Sequence, residues 1–300
     1  MILLTGATGF IGGHLLDALI KKYGANRVVA YTRLTIPGVR CICHNGYELD
    51  SFNFSDMGLD DIETIIHAGA FIPKNSIESN NQVLSDLNVY VTNRLLSADL
   101  PNLKRFIYLS SVDVYAPSSV AIDESSRLEP ANSYSRSKLM CEELVAEWAK
   151  KQDTIGQVLR VGHVYGPGEG GFRKIIPETM RRILNGQRLC IFGTGKQRRS
   201  FIYVKDLSRA VLAAIDLEQN IGPVNIAGLH SISMEELVRL ITEISDTKTI
   251  VEIISSSKER DLVFDLEKMK KHLLVAEIPL REGLKIEWDY MRVKGNDNPH

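Results

Sequence analysis

Short apolar runs alternate with longer amphipathic stretches over the first part of the chain. Five runs rich in β-branched and aliphatic residues have the length of buried strands, and they occupy residues 1–4, 28–31, 39–43, 64–67 and 105–109. Helical stretches separate most of them, the first at residues 11–22. Strands that alternate with helices favour right-handed crossovers. The pattern therefore predicts an α/β fold with a parallel sheet covered by helices on both faces.

The second part of the chain has a different character. A long helix is predicted at residues 134–151, followed by a strand at 157–161 and a loop rich in glycine and proline at 166–171. The long helix carries a stripe of apolar residues, namely Leu139, Leu144, Val145 and Trp148. Shorter elements follow: helices at residues 177–185, 207–217 and 234–245, and strands at 189–192 and 200–204. This change predicts a second, smaller lobe.

Composition narrows the possible partners. The chain has 300 residues, 44% of them hydrophobic and 24% charged, with a net charge of -1. No overall positive field is available to hold nucleic acid or an anionic membrane surface, and no apolar stretch is long enough to span a bilayer. Neither a nucleic-acid nor a membrane partner is expected. The four cysteines include no CxxC pair, which indicates thiols in a reducing cytoplasm and no metal site.

A glycine-rich turn follows the first strand directly and opens the first helix. Its sequence is Gly6-Ala7-Thr8-Gly9-Phe10-Ile11-Gly12, with glycines three residues apart. Glycine lets the backbone turn tightly and approach a pyrophosphate without a Cβ in the way. The start of the helix offers free N–H groups to the phosphates. An ordinary strand-to-helix turn is the alternative, but the strand–turn–helix context favours a dinucleotide site.

Two further motifs point to proton transfer. Tyr134 and Lys138 lie four residues apart, so a helix places them on one face, where the cation is expected to lower the tyrosine pKa from about 10 towards working pH. Ser111 follows the fifth strand, at the sheet edge where ligands bind, and could share a substrate oxygen with Tyr134. Taken alone, the first pattern also fits a solvated helix face and the second a serine that completes a turn.

Together and in this order, the three motifs resemble the extended short-chain dehydrogenase/reductase family of nucleotide-sugar epimerases, dehydratases and 4-ketoreductases. His67-Ala68-Gly69-Ala70 is similar to the family's H-x-A-A, with glycine at one alanine. Residues 160–168 (RVGHVYGPG) are similar to R-x-x-N-V-Y-G-P-G, with His163 in place of asparagine. Residues 193–206 resemble G-x-G-x-x-R-D-F-I-Y-V-x-D. The resemblance covers nearly the whole chain and is specific for the family, not for the substrate.

The resemblance implies a Rossmann-like fold and a set of site residues. It implies an NAD(P)-binding domain at residues 1–165, to which part of 200–230 returns, and a mainly substrate-binding lobe at 166–300. The implied catalytic residues are Ser111, Tyr134 and Lys138. The implied cofactor-binding residues are Gly6, Thr8, Gly9, Phe10, Ile11, Gly12, Arg33, His67, Ala68, Gly69, Tyr134, Lys138 and Val161. Ser111, His163, Arg199 and Arg260 are expected to bind the substrate.

Basic residues are frequent in the C-terminal half, and guanidinium groups bind diphosphates with paired charge-assisted hydrogen bonds. Arg199 and Arg260 are the residues we assign to the diphosphate by analogy with the family. Other basic side chains of this half are expected to be solvated on the surface, among them most of Lys174, Arg181 and Arg182.

The end of the second strand bears on the choice of cofactor. NAD-selective folds usually place a carboxylate there for the ribose 2′-hydroxyl, but this strand ends in Thr32 and Arg33. Arg33 could meet a 2′-phosphate, so NADP(H) is expected to be preferred, with NAD(H) possible. The alternative is a surface arginine.

A comparison of motifs also bears on the reaction. Sugar 4,6-dehydratases of this family carry an Asp-Glu pair after the hydroxyl residue, whereas Val112 and Asp113 follow Ser111 here, which disfavours dehydration. The leading hypothesis is a 4-ketoreductase acting on a nucleotide-linked 4-keto-6-deoxy sugar. A 4-epimerase with tightly bound NAD is the alternative, and a non-catalytic dinucleotide sensor is a third.

A homodimer is expected through the helix that starts at Tyr134, unless its apolar stripe packs only on the chain's own sheet.

Overall fold

The computed structural model describes residues 1–44, 58–169, 174–247, 250–254 and 260–296. Its strands are, in chain order, β1 (Ile2–Thr5), β2 (Val28–Thr32), β3 (Arg40–Cys43), β4 (Thr64–His67), β5 (Arg105–Ser111), β6 (Ile155–Val161), β7 (His163–Tyr165), β8 (Leu189–Phe192), β9 (Arg198–Tyr203), β10 (Val224–Ile226), β11 (Ser231–Ser233) and β12 (Val251–Ile254). Its helices are α1 (Phe10–Tyr23), α2 (Ser76–Ser79), α3 (Gln82–Leu96), α4 (Ser133–Gln152), α5 (Ile175–Leu184), α6 (Val204–Ile215), α7 (Met234–Ser245), α8 (Glu267–His272) and α9 (Leu280–Asn296).

Seven strands form the central sheet, in the order β3-β2-β1-β4-β5-β6-β10. Every pairing in it is parallel. All residues of β1, β2 and β4 are buried, because a parallel sheet is covered on both faces and its strands must be apolar on both sides. The predicted fold class is confirmed.

A different pair of helices packs on each face of the central sheet. Helices α3 and α4 pack against each other on one face, and α1 and α6 pack together on the other. Val145 and Trp148 of the apolar stripe of α4 pack in the core of the first face, where Trp148 contacts Phe106 of β5. This stripe therefore packs on the chain's own sheet. Asn132 caps α4 by accepting a hydrogen bond from the Ser135 backbone, which fixes where this helix begins.

The smaller elements surround β7 and β9. A three-stranded sheet has the order β11-β9-β7, and β8 pairs with β12 in parallel. After α6 the chain returns to the central sheet, where Val224 of β10 pairs with Leu159 of β6. The sequence pattern did not predict β7, β10, β11 or β12, which are three or four residues long. Within the described ranges, no helix has both the length and the apolar character needed to cross a bilayer.

Candidate active site

The glycine-rich turn brings three backbone segments unusually close. Gly6 has a φ of 72°, and a Cβ built on it would lie 2.6 Å from the Cα of Gly69. A Cβ on Gly12 would lie 1.9 Å from the Gly6 carbonyl oxygen. Only residues without a side chain fit these positions, so the first turn of α1 packs directly on the end of β1.

The same turn fits the pyrophosphate of a dinucleotide. Gly13 makes the first hydrogen bond of α1, to the carbonyl of Gly9, so the N–H groups of the three residues between them have no partner within the helix. The first turn of α1 carries no acidic side chain that would repel an anion. A Cβ on Gly6 or Gly12 would collide with the backbone of the turn itself, so the turn keeps this shape only with glycine at both positions. These features meet the requirements of an anion-binding helix start.

The end of β2 faces the glycine-rich turn. The Thr32 hydroxyl donates a hydrogen bond of 3.2 Å to the Thr8 hydroxyl, which ties the strand to the turn. The Arg33 side chain follows and is exposed. Residues 28–33 contain no carboxylate. A ribose 2′-substituent beside residues 32 and 33 would therefore meet hydroxyl groups and a guanidinium.

His67 is buried in a network that holds the segment beside the turn. Its Nδ1 lies 2.7 Å from the Thr5 hydroxyl, and its Nε2 lies 3.1 Å from the Thr92 hydroxyl. The Thr5 oxygen also accepts a hydrogen bond from the backbone of Gly69. Burial and the charge of Lys138 lower the pKa of His67 to about 3, so the ring is neutral. We therefore expect His67 to support cofactor binding indirectly, by fixing Ala68 and Gly69.

The three catalytic candidates meet in one cleft of about 260 Å³. Ser111 ends β5, and Tyr134 and Lys138 lie on the first turns of α4. Three of the expected cofactor contacts, Ile11, Ala68 and Val161, line the same cleft. The carboxyl ends of neighbouring parallel strands meet at this edge, as the general rule for open α/β sheets requires.

The structure corrects the expectation for the tyrosine pKa. Burial raises the pKa of Tyr134, the charge of Asp113 raises it further, and a side-chain interaction with Ser111 opposes the rise. The Lys138 ammonium donates a hydrogen bond of 2.9 Å to the Leu109 carbonyl and lies 5.9 Å from the centre of the Tyr134 ring. The prediction of a lowered pKa is wrong because desolvation outweighs the cation at this distance. Burial lowers the pKa of Lys138 itself to about 8.

A buried ion pair links α4, the helix that carries two of the catalytic residues, to the central sheet. Arg160 on β6 pairs with Glu142 on α4, with a shortest distance of 2.7 Å and 4% and 5% of the side chains exposed. The Ser110 hydroxyl donates to Glu142, and Arg160 donates to the Tyr115 hydroxyl. The network joins α4, β5 and β6 around the site. Sequence reasoning missed Glu142, although it lies one helical turn after Lys138.

The expected diphosphate residues lie next to each other and close enough to His163, which lines the cleft, for their charges to act on it. Leu262 pairs with Arg199, and this pairing brings Arg260 next to β9. Arg199 donates to the backbone carbonyl of Arg260, and burial and the charge of Arg260 lower the pKa of Arg199. Neither guanidinium forms an ion pair with any carboxylate that the structure describes. Two adjacent arginines that form no ion pair with a described carboxylate fit a diphosphate.

His163 lies between these arginines and the catalytic residues. Burial and the charges of Arg199, Lys174 and Arg260 lower the pKa of His163 to about 3, so the ring is neutral. Its Nδ1 is buried and has no hydrogen-bond partner among the residues described.

Arg181 and Arg182, which were expected to be surface residues, pair with Glu178 on the same helix, in agreement with a surface role. Arg173, another basic residue of the C-terminal half that could reach an anion, lies outside the described residues.

A pair of buried carboxyl groups was also not predicted. Glu169, in the loop after β7, and Glu287 on α9 are each 1% exposed. Burial raises the pKa of both groups, and their mutual repulsion raises the pKa of Glu287 further. Lys174 opposes the rise, with its ammonium 3.7 Å from Glu169. The loop also reaches α1, where His14 contacts the Pro167 carbonyl at 2.8 Å.

This pair predicts a pH-dependent stability. A carboxyl group whose pKa is raised by folding stabilises the folded state fully below its ordinary pKa of about 4.5, and the contribution is lost as pH rises through the raised value. Between about pH 4.5 and the raised pKa, the folded protein holds a proton that the unfolded chain has lost. In this range we expect the free energy of unfolding to fall by on the order of 1.4 kcal/mol per pH unit for each such proton. Urea unfolding of wild type and Glu287→Gln measures this, and the variant should show a flatter profile.

Glu282→Gln is the matched control, because Glu282 is an exposed carboxylate on the same helix. Its pH profile should follow that of the wild type. A Glu287→Gln profile parallel to the wild type would contradict the assignment of a raised pKa to this pair.

The NAD-dependent epimerase/dehydratase family matches residues 2–227. The chain belongs to this family. The family resemblance, the fold class and the prediction of an enzyme are thereby confirmed. Nicotinamide-dependent chemistry on nucleotide sugars is the common property of the relatives, and the glycine-rich turn, Ser111, Tyr134 and Lys138 lie within the matched range.

Curated relatives and solved structures agree with the membership. The dTDP-D-glucose 4,6-dehydratase of Mus musculus is 26% identical over 312 residues, which cover 96% of this chain and 88% of the mouse protein. The UDP-glucuronic acid 4-epimerase of Bacillus cereus, solved with NAD, is 26% identical, with a TM-score of 0.84 over 98% of this chain and 99% of that one. MoeE5, solved with UDP-glucose and NAD, is 28% identical with the same TM-score and coverage.

Proposed function

We propose that this enzyme oxidises and reduces C4 of a nucleotide-linked hexose, and that its net reaction is 4-epimerisation. The observation that carries the chemistry at C4 is the convergence of Ser111, Tyr134 and Lys138 in one cleft, which Ile11 of the glycine-rich turn also lines. The likeness to a 4-epimerase solved with NAD over almost the entire chain supports the same reaction. In this assignment residues 1–165 mainly hold the cofactor, and residues 166–300 mainly hold the substrate.

The chain's own residues handle the proton at O4. Tyr134 takes this proton as the phenolate when C4 is oxidised, and as the phenol it returns the proton when C4 is reduced. A bound nicotinamide supplies the acceptor and donor of hydride at C4. Ser111 orients O4, and the ammonium of Lys138 provides a positive charge 5.9 Å from the ring when the phenol is ionised. Arg199 and Arg260 hold the diphosphate and so fix where C4 lies.

Dehydration is not part of the proposal, although a dehydratase is among the relatives. That reaction needs an acid and a base beside the hydroxyl residue. Val112 and Asp113 line the cleft after Ser111, and valine cannot donate or accept a proton. A single carboxylate cannot both remove a proton from carbon and protonate the leaving hydroxyl at the same moment.

A second candidate is a 4-ketoreductase that uses NADP(H). It is favoured by the end of β2, where hydroxyl groups and Arg33 replace the expected carboxylate. The raised pKa of Tyr134 also suits reduction, because the phenol is then protonated and ready to donate to O4. Epimerase and reductase would use the same three catalytic residues.

The cofactor released by denaturing the purified protein separates the two candidates. Retained NAD, with interconversion of UDP-glucose and UDP-galactose, would support the epimerase. An empty protein that oxidises NADPH only with a nucleotide-linked 4-keto sugar would support the reductase. Cofactor binding without turnover of any of these substrates would contradict both, and would favour a dinucleotide-sensing protein.

The Arg33→Ala variant tests the cofactor preference. A charge-assisted hydrogen bond to a 2′-phosphate contributes about 1.5–3 kcal/mol, so the variant should lose roughly ten- to hundredfold in NADPH affinity and much less in NADH affinity. Fluorescence titration with both cofactors measures this. Arg27→Ala is the matched control, because Arg27 lies at the opposite end of β2. Equal losses for the two cofactors would show that Arg33 is only a surface residue.

We also propose a homodimer, formed through α3 together with α4. Val83, Leu87 and Tyr90 lie three or four residues apart on α3 and are 75%, 36% and 37% exposed, and Met140 on the adjoining α4 is 49% exposed. Such a stripe on paired helices suits a four-helix contact between two copies. Sedimentation should show a dimer for the wild type and a monomer for Val83→Glu. Val275→Glu, at an 82% exposed site elsewhere, should remain dimeric.

A further inference from the structure

Asp113 places an uncompensated negative charge at the reacting end of the cleft. Its side chain is exposed and lines the cleft beside Ser111 and Tyr134. Its backbone N–H donates to the Ser111 hydroxyl at 3.1 Å, which fixes the turn that carries it. Within the described residues the Asp113 carboxylate accepts no hydrogen bond and forms no ion pair. Its charge nevertheless reaches the Tyr134 phenol, whose pKa it raises.

The neighbouring cations are engaged elsewhere. The Lys138 ammonium donates to the Leu109 carbonyl and lies 4.9 Å from the centre of the Tyr108 ring. Lys174 is 3.7 Å from Glu169, on the side of the cleft near α1. His163 is neutral, and Arg199 and Arg260 lie beyond it at the diphosphate end. None of the described cations pairs with the Asp113 carboxylate, so a substituent beside this turn would meet that negative charge directly.

We propose that Asp113 selects neutral hexoses as substrates and excludes uronic acids. The inference rests on the proposed chemistry at C4, because O4 bound at Tyr134 places the C3 hydroxyl and the C6 group beside this turn. Hydroxyl groups can donate to the Asp113 carboxylate, which strengthens binding of a neutral sugar. A C6 carboxylate would bring a second negative charge into the same partly desolvated space, where like charges repel.

Proteins of this fold bind both neutral and uronic nucleotide sugars. MoeE5 has been solved with UDP-glucose and also with UDP-glucuronic acid, and the Bacillus cereus neighbour is a UDP-glucuronic acid 4-epimerase. The overall architecture thus accommodates both classes of sugar. A single side chain in the cleft can decide between them, because the two ligands differ only in the charge and oxidation state of C6.

Isothermal titration of the NADH-saturated protein with UDP-glucose and UDP-glucuronic acid tests the proposal. The wild type should bind UDP-glucose at least about tenfold more tightly, and the difference should shrink at high salt, which screens the repulsion. Asp113→Asn and Asp113→Thr remove the charge and should bring the ratio close to one. Asp99→Asn is the control for net charge, since Asp99 is exposed in the turn between α3 and β5, before the strand begins. It should keep the wild-type ratio.

Three outcomes would overturn the inference. Equal affinities in the wild type would show that Asp113 does not select, and a preference that survives both Asp113 variants would assign selection to other residues. If UDP-glucose, UDP-glucuronic acid and dTDP-glucose all fail to bind while NADH still binds, the proposed function itself fails and the inference fails with it. The first two outcomes leave the C4 chemistry standing, so the two failures can be told apart.

Discussion

Replacing Tyr134 by phenylalanine should lower kcat by about 10²–10⁴-fold while the dissociation constant of the cofactor changes little. The substitution removes one oxygen atom and leaves the ring, which is 93% buried in the wall of the cleft, in place. The lost group is the only phenol that lines the cleft beside Ser111 in the part of the chain that the structure describes. Proton exchange at O4 then has no donor of suitable geometry.

The measurement is a single-turnover assay with saturating cofactor and nucleotide sugar, combined with a separate cofactor titration. Tyr23→Phe is the matched control, because it also removes one buried phenolic oxygen, which lies at the far end of α1 and has no hydrogen-bond partner among the described residues. It should retain wild-type kcat. Wild-type kcat in Tyr134→Phe would show that another group moves the proton and would remove the catalytic assignment.

The convergence of the three catalytic residues could be predicted from the sequence because each step is local. Ser111 follows an apolar strand, Tyr134 and Lys138 are one helical turn apart, and parallel strands present their carboxyl ends at one edge. The direction of the Tyr134 pKa could not be predicted from the same spacing. It depends on how completely the sheet and α4 exclude water, and on the charge of Asp113, which lies 21 residues earlier in the sequence.

The features that the sequence did not reveal depend on distant partners. The strands β7, β10, β11 and β12 have three or four residues each, too few for a hydrophobic period to stand out. Val224 becomes a strand residue because Leu159 pairs with it across the edge of the central sheet. The pairs Arg160–Glu142 and Glu169–Glu287 likewise join residues that are 18 and 118 positions apart, so only the folded chain brings them into contact.

Replacing Gly12 by alanine should weaken cofactor binding by at least about a hundredfold, since a displacement of about 1 Å at a positioning element can cost that much. The new Cβ would lie 1.9 Å from the Gly6 carbonyl oxygen, which is backbone and cannot rotate away. Gly6 cannot retreat either, because its own Cα faces Gly69 at close range. The start of α1 must therefore move outward, and the N–H groups that face the phosphates move with it. Overpacking of this kind also destabilises by about 1–3 kcal/mol.

Gly13→Ala separates this steric effect from the general consequence of placing alanine in a helix. A Cβ on Gly13 would lie 3.8 Å from the Ala7 carbonyl oxygen, an ordinary van der Waals contact. Alanine favours a helix over glycine by up to about 1 kcal/mol, so Gly13→Ala should bind cofactor normally and melt at an equal or higher temperature. Thermal unfolding and NAD(P)H titration of both variants measure the contrast. Wild-type affinity in Gly12→Ala would mean that the cofactor does not depend on the start of α1, and the dinucleotide site would then have to lie elsewhere.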